Sequence, residues 1–435
     1  MFHAASAQKY VDASTLTIIG RTCPMEGHPY YRVDTTRYRF DNATIRHYCG
    51  SPAGVAVLFT TDSRRIEARW TTAPRSYGWN MTPVLQRGMD LYVRENGVWT
   101  MAGAARPGLQ DRHASTIVEH MDGQPKECML YLPAWSELLT LEIGVDEGAS
   151  VTPLESPYKH RVIVFGSSVT HGASASRPGM TYPARMSRMT GIEFVNLGYS
   201  GNCMLQPEFA RLLAETDADA FLFDAFSNPS PKMIRERLDA FVATLVKAHP
   251  DKPLIFMQTH WHTAGNLDQE AAKFHRERIN TADGMMRRLA KQYDNVYFLD
   301  GEWFFGVPAE SDEVPLHAGG GNHRLRPRFR PGLRPHDLGA AAPYPEDPAQ
   351  IRNPVVRAHC AGFRNPATES LRFQRGDFLR ISRLQKIFAL FDWCCLPLFG
   401  RQSSLNRGVC RGGFVPFGGK SFNQIQLFNK QYIVK

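Results

Sequence analysis

His160-Arg161-Val162-Ile163-Val164-Phe165-Gly166-Ser167-Ser168 is the stretch on which the fold turns. A run of β-branched and aromatic residues, too short for a helix, stops at a glycine and two serines. Similar apolar runs return downstream at Glu193 to Leu197, Ala220 to Phe223, Leu254 to Met257 and Val296 to Leu299. Between them lie helical stretches, roughly Pro183 to Met189, Pro207 to Glu215, Pro231 to Ala248 and Asp268 to Tyr293. Wholly apolar strands separated by helices predict an α/β domain with a doubly wound parallel sheet covered on both faces. In such sheets chemistry sits at the carboxyl ends of the strands.

Upstream the rhythm is different. Thr15 to Ile19, Val55 to Thr60, Ile66 to Trp70, Met129 to Leu132 and Leu139 to Ile143 read as short strands. Asn96-Gly97, between Leu91-Tyr92-Val93 and Val98-Trp99, reads as a hairpin turn. No long helical period interrupts them. Residues 1–157 are therefore expected to form an all-β sandwich domain, with Pro153 to Pro157 as a linker and residues 158–315 as the α/β domain.

No apolar run is long enough to span a bilayer, and the start lacks a signal-peptide pattern. As written, the chain is expected to be cytoplasmic; a different true start would allow export. The net charge of +9 is unevenly spread. Residues 316–435 hold 19 Lys and Arg against 6 Asp and Glu, leaving 32 against 36 for residues 1–315. The basicity belongs to the last quarter, so no nucleic-acid partner is expected for the folded part. The eight cysteines show neither CxxC spacing nor histidine companions, so buried free thiols and no metal are expected.

The strand ends carry the chemistry. The first ends in Gly166-Ser167-Ser168-Val169-Thr170-His171-Gly172, where glycines allow a tight turn and a serine can be a nucleophile or a helix N-cap. The second ends in Asn196-Leu197-Gly198-Tyr199-Ser200-Gly201-Asn202, whose glycine can offer an unobstructed N–H. The third ends in Asp224-Ala225-Phe226-Ser227-Asn228-Pro229, whose Asn228 can donate to an oxyanion or cap the next helix.

In this order the three segments resemble the signature of the SGNH (GDSL-like) hydrolases. Gly166-Ser167-Ser168 is similar to block I, with Ser167 where aspartate is common; Asn196 to Gly201 is similar to block II, and Asn228 stands where block III has its asparagine. Gly88-Met89-Asp90-Leu91-Tyr92 resembles the GxDLY motif of a domain that precedes some of these hydrolases. The resemblance covers roughly residues 8 to 315. It implies a flavodoxin-like sheet and a serine esterase without metal or organic cofactor. Its substrate would be a small-molecule or carbohydrate ester, bearing acetyl or another short acyl group. Ser168 would be the nucleophile, with the N–H groups of Ser168 and Gly201 and the Asn228 side chain as the oxyanion hole.

The family's general base, a late Asp-x-x-His followed by a segment like Pro-x-Asp-Leu-Gly, is missing. Glu310 to Pro315 is followed by Leu316-His317-Ala318-Gly319-Gly320-Gly321-Asn322-His323 and an arginine-proline run. Read from the second base of each codon, Arg324 to Asp337 permits Asp-Ser-Val-His-Ala-Ser-Asp-Leu-Gly-Phe-Gly-Arg-Met-Thr, which contains the missing elements in order. Through Gln350 the same frame permits a Leu/Ile-rich closing helix. A frameshift near Pro315 is inferred, with residues 316–435 a basic, mostly irregular tail. His336-Asp337 has the wrong order for the motif, and structural or surface roles are expected for His171, His260 and His262. The alternative class is a non-catalytic carbohydrate- or ligand-binding protein that keeps the SGNH shell.

Overall fold

Alternating side chains sort the first ten strands into two sheets. The computed structural model describes residues 8–299 and 433–434. Its N-terminal strands are β1 (Gln8–Asp12), β2 (Thr17–Ile19), β3 (Ala56–Thr61), β4 (Ile66–Thr72), β5 (Met89–Glu95), β6 (Val98–Ala105), β7 (Arg112–Val118), β8 (Lys126–Tyr131), β9 (Leu138–Asp146) and β10 (Val151–Pro153). Two short helices, α1 (Ala43–Gly50) and α2 (Pro83–Arg87), join them. One antiparallel sheet has the order β1-β9-β4-β7; the other runs β10-β3-β8-β5-β6, with β2 beside β3. Ala68 and Trp70 of β4 and Ile143 of β9 meet Val57, Leu91 and Leu130 of the second sheet in one core. This is the expected sandwich. Asn96 and Gly97 take φ of 50° and 80°, the left-handed pair that a tight two-residue hairpin requires.

Three details differ from the expectation. The strand placed at Thr15 to Ile19 begins as a 3-10 turn over Ala13–Thr15, capped by the Asp12 side chain, so only Thr17–Ile19 pairs as a strand. Helix α1 is short enough to escape a periodicity search; Asn42 caps it by accepting from the N–H groups of Thr44 and Ile45. Pro153 pairs with Phe59 at the sheet edge, so the supposed linker begins inside β10.

The second sheet is buried on both faces. Ala56, Leu58, Tyr92, Met129 and Tyr131 form a second cluster with Ala184, which lies beyond the sandwich in sequence. Tyr38, Ile45, Tyr48 and Trp135 likewise join the core of the α/β part. The sandwich is thus packed against the α/β part rather than strung in front of it.

The second half comprises β11 (Arg161–Gly166), α3 (Ser168–His171), α4 (Tyr182–Thr190), β12 (Glu193–Gly198), α5 (Pro207–Ala214), β13 (Ala220–Asp224), α6 (Pro231–Ala248), β14 (Leu254–Met257), α7 (Gln269–Gln292) and β15 (Val296–Leu299). The parallel order is β12-β11-β13-β14-β15, the flavodoxin-like arrangement, and β16 (Ile433–Val434) pairs antiparallel with β15. Right-handed crossovers place α4 on one face and α5, α6 and α7 on the other. Phe165, Phe223 and Phe256 pack against Phe209 and Phe241 on the latter face. The expectations for residues 300–432, including the missing Asp-x-x-His, His317, His323, His336, the tail cysteines and the frameshift, lie outside the described residues.

Candidate active site

The sheet changes winding direction between β11 and β13, the position at which open α/β sheets generally bind ligands beyond the strand ends. Gly166 pairs with Gly198 on one side and with Asp224 on the other. Ser168 follows two residues after Gly166, Gly201 three after Gly198 and Asn228 four after Asp224. The three expected site residues therefore leave neighbouring strands at one level. Direct hydrogen bonds tie their loops together. Tyr199 N–H donates to Gly166 O at 2.8 Å, Asn196 Nδ2 to Thr170 O at 2.7 Å, and Cys203 N–H to Asn228 Oδ1 at 3.2 Å.

Each strand end resolves an ambiguity left by the sequence. Capping of α3 falls to Ser167, whose Oγ accepts from Val169 N–H at 3.3 Å, so Ser168 opens the helix with its hydroxyl uncommitted to that role. Ser168 is buried rather than displayed, at 4% exposure. Capping of α6 falls to Ser230, not Asn228. Gly201 has φ of 68° and nothing within 4 Å of where a Cβ would stand, leaving its surroundings open.

A carboxylate missed by motif reading lies behind the nucleophile turn. Asp224 Oδ2 accepts from Ser167 Oγ at 3.0 Å and Thr170 Oγ1 at 2.9 Å, and Thr170 Oγ1 lies 2.8 Å from Tyr182 OH. Burial pushes the Asp224 carboxyl up to about 6 despite these donors.

Arg32 is a second omission. Fully buried, it reaches from the N-terminal half to the carbonyls of Tyr48 (2.5 Å), Asn196 (2.9 Å) and Gly198 (3.2 Å). The guanidinium fork holds the backbone from which the Gly201 loop departs. Nothing in the sequence singles it out, because its partners are carbonyls distant in the chain. Asp224, an acid closing an apolar strand, did carry a local signal.

The GxDLY segment contributes to docking. Asp90 Oδ1 accepts Gly179 N–H at 2.8 Å, and Arg177 Nε lies 3.1 Å from Oδ2, an ion pair too bent for a hydrogen bond. The Arg188 guanidinium stands 3.9 Å over the Tyr92 ring, and Leu91 points into the sandwich core.

His171 is buried, stacks on Trp135 with centroids 4.0 Å apart, and its Nε2 lies 2.8 Å from Ala134 O. Burial, with Arg32 nearby, holds its pKa well below the ordinary imidazole value. It is a packing residue. His260 and His262 stack at 5.0 Å beyond β14, and His262 also contacts His275. Among the described residues no cluster of three or more His, Cys, Asp or Glu has metal-site geometry, and no helix is long and apolar enough to cross a membrane. Cys23, Cys49, Cys128 and Cys203 are free thiols.

Residues 159–318 match the model of the GDSL-like lipase/acylhydrolase family, and residues 8–151 match the N-terminal domain of SGNH-hydrolase-type esterases that carries the GxDLY motif. A solved Bacteroides ovatus protein described as GDSL-like lipase is 40% identical, with a TM-score of 0.68 over 72% of this chain and 91% of that one. The chain belongs to the GDSL-like lipase/acylhydrolase family. By that membership it is a carboxylic ester hydrolase, and its two sheet systems are those of a GDSL-like esterase with a GxDLY domain. The salicylyl-acyltransferase SsfX3 of a tetracycline biosynthetic pathway shares the fold at 22% identity, with a TM-score of 0.53 over 71% of this chain and 89% of that one. No curated protein matches the chain.

Proposed function

We propose that this GDSL-like protein is built to hydrolyse acyl esters through Ser168, with the N–H groups of Ser168 and Gly201 and the carboxamide of Asn228 receiving the oxyanion. The observation carrying this reading is the Cys203–Asn228 hydrogen bond. With Oδ1 occupied by a backbone donor and the capping role taken by Ser230, the Nδ2 end of Asn228 is the end left to serve an acceptor in the crevice. Losing one oxyanion donor typically costs about 10²–10³ in turnover. The substrate we assign is a small-molecule or carbohydrate ester with an acetyl or other short acyl group. The division into a sandwich (1–157), a hydrolase domain (158–315) and a basic tail (316–435) belongs to the same proposal.

Turnover by this exact chain is proposed to be low or absent. The sequence after Pro315 contains no Asp-x-x-His, and burial, with Arg32 nearby, makes the His171 imidazole a far weaker base than an ordinary histidine. p-Nitrophenyl acetate hydrolysis tests both points. The chain as it stands should show no Ser168-dependent rate. The same chain continued in the alternative frame after Pro315 should gain a rate that Ser168→Ala removes. Ser168-dependent turnover by the present chain would show that another residue supplies the base. Failure of the reframed chain to react would count against the nucleophile assignment. The missing base also favours a second reading, a ligand-binding protein on an SGNH shell; glycan binding that survives Ser168→Ala without turnover would support it.

A further inference from the structure

Position 167 lacks the aspartate usual beside the nucleophile in block I, yet a carboxylate presses against the same turn from the next strand. We propose that positions 167 and 224 share one carboxylate between them, and that Asp224 is the positioning residue of the Ser168 turn. The proposal rests on reading Ser168 as the nucleophile.

This carboxylate draws its donors from the turn itself. Ser167 Oγ and Thr170 Oγ1 both donate to Asp224 Oδ2, and the backbone amides of the same two residues also favour its charged form. Among the described residues no lysine or arginine forms an ion pair with it. Two hydroxyls three residues apart on a single helical turn are thus gathered onto one oxygen atom. That fixes the rotation of the turn, and with it the Ser168 backbone N–H and side chain.

Gly166 makes room for this approach. A Cβ on Gly166 would stand 2.0 Å from Thr170 Oγ1 and 2.9 Å from Asp224 Cβ, so glycine is what lets the carboxylate approach the turn. An aspartate at 167 would bring a second carboxylate within reach of the first, and two buried like charges at that range cannot both ionise. The positions should therefore be exchangeable but not additive. A purely structural hydrogen bond carries no such requirement.

The test is a cycle in the full chain of Ser167→Asp, Asp224→Ser and the pair together. Thermal unfolding is read beside the rate at which a fluorophosphonate probe labels Ser168 in the same variants continued in the alternative frame after Pro315. Each single change should lower the unfolding midpoint by about 5 °C or more, and the double should regain most of that loss. Labelling should fall and recover in parallel. Additive losses in the double, or an unchanged midpoint in Asp224→Ser, would overturn the proposal. Should a single variant be insoluble, soluble yield decides: the double must recover it. Probe labelling that persists in Ser168→Ala would instead refute the nucleophile reading and leave the melting cycle to judge the exchange.

Discussion

Asn228 Oδ1 accepts the backbone N–H of Cys203 at 3.2 Å, joining the loop after the third strand of the parallel sheet to the loop after the second. A single side chain thereby sets the spacing of two candidate oxyanion donors, its own amide and the Gly201 N–H two residues before Cys203. Orientation is decided at the same time. An amide whose oxygen is anchored by a main-chain donor presents its nitrogen the other way.

From this relationship, Asn228→Ala in the alternative-frame chain should lower kcat for p-nitrophenyl acetate by about 10²–10³. Asn228→Asp should fare no better, since a carboxylate keeps the acceptor for Cys203 but donates nothing. Equal kcat in wild type and Asn228→Asp would remove the carboxamide from the oxyanion hole.

Gly198 and Gly201 should tolerate alanine to very different degrees. A Cβ at Gly198 would lie 2.1 Å from His171 N, against backbone that cannot yield. Gly198→Ala should therefore cost about 4 kcal/mol or more and largely abolish soluble expression. Gly201→Ala meets no neighbour but keeps the left-handed backbone, at a cost of about 1–2 kcal/mol. Soluble yield of both variants, with urea unfolding of Gly201→Ala, measures the contrast.

Arg32 offers a test of how far the sandwich half supports the site. Arg32→Ala strands the buried carbonyls of Tyr48, Asn196 and Gly198, and should destabilise the fold by about 3–5 kcal/mol. Arg32→Lys should recover little, because an ammonium cannot span the three acceptors that the planar fork spans. Denaturation midpoints of the three proteins supply the comparison.

Asp224 makes a pH prediction with a definite sign. Its folded-state pKa, raised to about 6 by burial, exceeds its ordinary value of 3.8. The native state therefore holds the proton more tightly than the unfolded chain does. The resulting stability is fully present below pH 3.8 and lost as pH rises through about 6, a swing of about 3 kcal/mol. Asp224→Asn should flatten that part of the stability profile. A variant profile parallel to wild type would show that Asp224 titrates normally.

Much of this molecule was legible locally. Helix α6 runs Pro231–Ala248 and strands β14 and β15 run Leu254–Met257 and Val296–Leu299, as the apolar runs and prolines indicate, because those signals act within a few residues. Ser168, Gly201 and Asn228 were singled out as one set because three successive strand ends carry, in order, segments that resemble the family signature. Helix α1 was not, since its eight residues are held by an Asn42 cap and by burial against a distant core.

Chain order alone determined the alternation of strand and helix, the doubly wound sheet and the crevice side on which reactive residues emerge, because backbone propensity and burial period are local properties. Tertiary structure decided that Asp224 brings a carboxylate to the turn where position 167 has none, and that Arg32 holds the second loop from the other half of the protein. Those outcomes depend on hydrogen bonds across 57 and 164 residues of chain, and a buried donor takes whichever acceptor the packed fold brings within reach.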